Sequence, residues 1–120
     1  MSDFNVLLDN LDRCTKKFHE LILLKKNEAS DFKDKENEIE EIFSDIEKNL
    51  PHEIPDYIER MHMSKEGEET EIIQDFRQLE SQKRNILLKM MELVWKMGLF
   101  EDESDVDKRE RWYNLLKSNC

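Results

Sequence analysis

Three histidines (His19, His52, His62) and two cysteines (Cys14, Cys120) are the side chains of this 120-residue chain best suited to metal, redox or nucleophilic chemistry. Glu59-x-x-His62 has the spacing that puts two ligands on one face of a helix. It is half of a carboxylate-bridged di-metal motif, which needs a second copy and two further inward-facing glutamates from other helices. No second copy exists. If Asp105 and Asp107 opened a calcium loop, Arg109 would occupy an oxygen-ligand position and Glu110 the position of the turn glycine, so that reading fails. Neither cysteine has a cysteine partner at metal or redox spacing or a histidine beside it. With two glycines in all, there is no phosphate-cradling loop and no Gly-x-Ser-x-Gly elbow. The residue types therefore point to a non-enzymatic protein with no catalytic, cofactor-binding or metal-ligating residues.

Charge is more informative. The chain carries 29 acidic and 19 basic side chains, a net of −10. A surplus of carboxylates opposes binding to nucleic acid or anionic lipid, because both require Lys and Arg to displace counterions. Residues 28–70 hold 15 acidic and 5 basic side chains, so the entire net charge lies in that stretch. Such a region either keeps a helix solvated or steers a basic partner, with Glu38, Glu40 and Glu41 as the docking carboxylates. Ser44 and Ser104 each have acidic residues one and three positions on, a short pattern read by acid-directed kinases that also arises by chance in acidic chains.

The elements that must position these groups follow from apolar spacing. Phe4, Leu11, Phe18, Phe32, Ile39 and Ile46 share a seven-residue register, interrupted by Lys25, and Leu7, Cys14, Leu21 and Ile42 accompany them. That is the period of a helix packing on helices. It predicts one helix over 3–50, about 72 Å long. Pro51 and Pro55 end it and open a loop with a short helix over 51–69. A second helix is predicted over 70–97, with Thr70 as N-cap and Gly98 as C-terminal cap, and a short one over 104–117, capped by Ser104. The expected fold class is all-α, a long antiparallel helical hairpin of coiled-coil or bundle type with a short C-terminal helix.

In that hairpin, paired positions sum to 118: Ile46 with Ile72, Ile42 with Phe76, Ile39 with Leu79 and Phe18 with Phe100. The same sum sets Lys35 beside Lys83, with Glu36 and Glu80 close by, and Lys25 and Glu28 near Leu93 and Met90. The last helix would cover Phe4, Leu7 and Leu11.

A third apolar column, Leu8, Ile22, Ala29, Phe43 and Leu50 on the first helix with Ile73, Leu87 and Val94 on the second, exceeds what two helices enclose. Leu8, Ile22, Phe43, Leu87 and Val94 are thus expected to bind a partner helix. Trp112 and Tyr113 are adjacent, so one of them faces outward as a further contact. The architecture resembles small coiled-coil subunits of kinetochore, spindle, tethering or adaptor complexes, although no motif specific to one family is present. The expected function is a structural or interaction subunit in a hetero-oligomer of helical proteins, with self-association as the second option. The alternative is a self-associating adaptor that recruits a basic partner through residues 28–70. No run of apolar residues is long enough to span a membrane, and Met1-Ser2-Asp3-Phe4 does not open a leader, so an intracellular location, cytoplasmic or nuclear, is expected.

Overall fold

A helix that reads as continuous over 3–50 is two helices in the computed structural model, which describes residues 3–26, 32–101 and 103–120. These are α1 (Asp3–Lys26) and α2 (Phe32–Asn49), and they pack against each other. Lys17 pairs with Glu38 at 2.9 Å and Glu20 with Lys35 at 2.6 Å. Both pairs have the same residue sum, so α2 runs antiparallel to α1. A straight helix would have carried Lys25, Glu28 and Lys35 through its apolar seam. Packing α2 back on α1 lets Phe18 and Leu21 share a core with Ile39 and Ile42 instead. The expected 72 Å rod is absent, since the molecule measures 45 × 37 × 20 Å along its principal axes. The shortest dimension is about two helix diameters. Ala29, Glu28 and the side chain of Lys25 lie outside the described residues, and so do the pairings expected of them.

Past Leu50 the chain turns at Pro51, whose carbonyl accepts a hydrogen bond from the Ile54 amide at 3.0 Å. It enters α3 (Glu53–Met63), which takes Pro55 in its first turn and buries Ile54 and Met61. Proline is tolerated there because the first-turn amides have no intrahelical acceptor. Gly67, at φ +96°, reverses the chain in a conformation that disfavours a side chain. The expected helix over 70–97 is also two: α4 (Glu69–Gln78), whose N-cap is Glu68 and not Thr70, and α5 (Ser81–Glu101). Leu79 breaks them apart with an extended backbone, φ −67° and ψ 151°. The break lets α5 run along α1 while α4 stays with α3 and α6 (Val106–Ser118). α4 buries Ile72 and Phe76, and α5 also lies along α3 and α6.

α5 is the centre of the fold. It buries Ile86, Leu87, Met90, Met91 and Leu93, residues that point in several directions, as a helix surrounded by others must. Two contacts orient it. Asp12 pairs with Lys89 at 2.5 Å, and Phe18 meets Phe100 edge to face at 6.0 Å. Both residue numbers rise together, so α5 is parallel to α1 and antiparallel to α2. The 118 register therefore does not describe the molecule, although Phe18 and Phe100 do meet. Lys35 and Lys83 are likewise apart, and Lys83 pairs with Glu53 at 2.9 Å.

α6 does not lie over Phe4–Leu11 as expected. It packs antiparallel along α5, stacking Tyr113 on Trp95. Gly98 is not a cap but a buried residue within α5, where the Arg109 guanidinium and the Val106 methyl come close. Ser104 does not cap α6; the N-cap is Asp105, without a side-chain hydrogen bond.

Candidate partner-binding cleft

α1 packs on both α2 and α5, but α2 and α5 do not pack closely on each other. α1 thus lies between α2 and α5. Between those two helices runs a cleft. Its first part, about 370 Å³, has Phe18 on its floor, Ile39 and Phe43 on the α2 wall, and Met97 and Phe100 on the α5 wall. Beyond Glu47 it continues into a second part of about 430 Å³ against Leu50, Pro55, Ile58, Met90 and Val94. From Glu36 to Leu50 the α2 wall spans about 21 Å at 1.5 Å per residue.

Carboxylates line the rim. Glu36, Glu40 and Glu47 lie on α2 and Glu101 on α5, with Ser44 between, and among the described residues no basic side chain lines the first part. On α2 these polar residues and the apolar pair Ile39 and Phe43 recur every three or four positions, one helical stripe turned toward α5. The Glu101 carboxyl is held above its ordinary range, first by its hydrogen bond with Glu103, then by burial and by the Glu103 charge. Glu103 itself is paired with Arg109 at 2.6 Å.

The expected site residues divide. Phe43 and Val94 line the cleft, half-buried, and Glu40 stands on its rim. Glu38 faces the other way: its hydrogen bond from Lys17 and the charge of that lysine hold its carboxyl below the usual range. Glu41 is exposed outside the cleft lining. Leu8 is half-buried against the chain's own core, and Ile22 half-buried on α1. Leu87 and Trp112 are 0% and 1% exposed, so neither offers a surface. The expectation of an open face there is corrected because α3 and α6, unforeseen as neighbours of α5, enclose it. Tyr113 is half-buried on Trp95, its hydroxyl held above its usual range by burial and by the Glu92 charge.

Met97, Phe100, Glu36, Glu47 and Glu101 were missed as site residues. The 36, 40, 47 spacing around Ile39 and Phe43 was visible in the sequence, but with α2 read as the far half of a rod it had no wall to face.

Other chemistry is sparse. His62 lies 3.8 Å from Asp105, beside a smaller pocket of about 150 Å³ under Trp112. Among the described residues, no group of three or more His, Cys, Asp or Glu is placed to hold a metal ion. Cys14 is buried, and burial raises its thiol to about 11. Among the same residues no helix is long and apolar enough to cross a membrane. No protein-family model, curated protein or solved structure matches the chain, so its function has to be read from the chemistry of the cleft.

Proposed function

We propose that this chain is a non-enzymatic interaction subunit of a larger helical assembly, receiving one helix of another protein in the cleft between α2 and α5. The observation that carries this reading is the open cleft between α2 and α5, with Phe18 at its bottom and Phe43, Met97 and Phe100 on its sides, continuing past Glu47 along α3. Helix-in-groove recognition uses such a geometry, with apolar anchors on one face of the incoming helix entering between the walls. Phe18, Phe43, Met97 and Phe100 supply wide, adaptable contact area. A different protein fits better than a second copy, which would bring its own net charge of −10 against an acidic rim. On that ground the hetero-oligomeric reading is preferred to the alternative of a self-associating adaptor.

A displayed library of amphipathic helices of about 16 residues, roughly 24 Å long, tests the reading. Leucines are fixed on one face and the remaining positions varied. Selected helices should lose binding to Ser44→Trp, which fills the cleft from an exposed position without touching the core. Helices that bind Ser44→Trp as well as the parent would show that the cleft is not the site.

A further inference from the structure

The charge pattern of the cleft says more about its occupant than its shape does. Resting on the reading of the cleft as a helix site, we propose that the occupant is a basic amphipathic helix whose Lys or Arg residues flank its apolar stripe and face Glu36, Glu40 and Glu47 on one side and Glu101 on the other.

Three observations support this. First, the carboxylates form a bank of three on α2 with a single one opposite. Glu36, Glu40 and Glu47 follow α2 at i, i+4 and i+11, a span of about 16 Å, and Glu101 stands across the aromatic floor on α5. A helix lying along α2 meets that bank with basic residues at the same spacing, whichever direction it runs. Second, three cations on the neighbouring elements are held by other carboxylates. Lys17 is paired with Glu38, Lys35 with Glu20, and Arg109 with Glu103, while Glu40 and Glu47 enter none of the ion pairs formed between described residues. Third, Glu103 is held by Arg109 at 2.6 Å, and its hydrogen bond and charge disfavour ionisation of Glu101 at the cleft rim, so a cation arriving at Glu101 draws that carboxyl into its charged form.

An apolar floor with three carboxylates on one side and one on the other selects by charge as well as shape. A neutral helix can fill the floor, and an acidic one is repelled at both edges.

The test uses the full chain and the tightest neutral helix from the selection, remade with its edge positions all Lys or all Glu. At about 0.01 M salt the Lys helix should bind at least ~10-fold more tightly than the Glu helix, and at about 1 M the difference should nearly vanish. In the double variant Glu40→Lys, Glu47→Lys, both exposed positions, the preference should reverse while helicity and unfolding midpoint stay those of the parent. Equal binding of the two helices, or a preference unaffected by salt or by the double variant, would overturn the charge assignment and leave the helix site standing. A dimer of the chain alone that Ser44→Trp dissociates would name a second copy as the occupant, and overturn it too. If no selected helix depends on Ser44, the failure lies with the cleft reading itself.

Discussion

Gly98→Ala puts two opposing effects in competition at the crossing of α5 and α6. In an exposed helix interior, replacing Gly by Ala stabilises by about 0.5–1 kcal/mol, because Ala loses less backbone entropy. At Gly98 the new Cβ would lie 3.1 Å from the Val106 methyl and 2.9 Å from the Arg109 guanidinium. That guanidinium donates to the Val94 carbonyl at 2.9 Å and pairs with Glu103 at 2.6 Å, so it cannot swing away without loss. Overpacking costs about 1–3 kcal/mol, and a disturbed hydrogen bond about 1 kcal/mol more. The net expected from these terms is destabilisation by about 1–3 kcal/mol, a fall in Tm of very roughly 3–12 °C for a domain of this size. Urea unfolding of the single variants and of Gly98→Ala with Val106→Ala forms the assay. Val106→Ala makes room for the added methyl, so the pair should be less destabilised than the sum of the singles. A stabilised Gly98→Ala variant would refute the close crossing of α5 and α6. Strict additivity would mean the loss arises elsewhere.

Ile39→Ala should cost about 2–4 kcal/mol, since Ile39 is buried between α1 and α2, whereas Leu79→Ala at the half-exposed break should cost clearly less; equal losses in urea unfolding would mean Leu79 sits in a helix seam after all. Gly67→Ala should destabilise by about 1 kcal/mol through its positive φ alone, as no atom lies within 4 Å of the added Cβ, and Gly67→Asn should recover part of that; an unchanged midpoint would contradict the turn. Below pH 9 a thiol reagent should label the exposed Cys120 at once and Cys14 only on unfolding, because burial raises the Cys14 thiol from 9.0 to about 11; rapid labelling of both in the folded protein would show that α1 is not packed as described.

The all-helical class was legible because the apolar period and the scarcity of Gly and Pro leave few other choices. The stop at Pro51 and the turn near Gly67 were legible for the same reason, since those residues restrict or free the backbone directly. The arrangement was not legible. A heptad stripe says that a helix packs on helices but not on which, and α1 folded against α2 satisfies it as well as one long rod against a second helix. The break at Leu79 carries no Gly or Pro; it separates α4, beside α3 and α6, from α5, which also runs along α1. Of the third apolar column, Leu87 is buried on α5, Leu8 and Ile22 are half-buried on α1, and Phe43, Leu50 and Val94 line the cleft. Among the docking carboxylates, composition could not tell Glu40, on the rim, from Glu38, held by Lys17.

The most direct measurement of the central claim is methyl NMR of the methionines while the tightest selected helix is added. Met97 lines the first part of the cleft and Met90 its second part, whereas Met61 and Met91 line the pocket under Trp112, which adjoins that second part at Ile58, His62 and Val94. Met90 and Met97 should shift and show contacts to the helix leucines, with Met61 and Met91 little changed. Shifts centred on Met61 and Met91, with Met90 and Met97 unmoved, would contradict the cleft as the binding site.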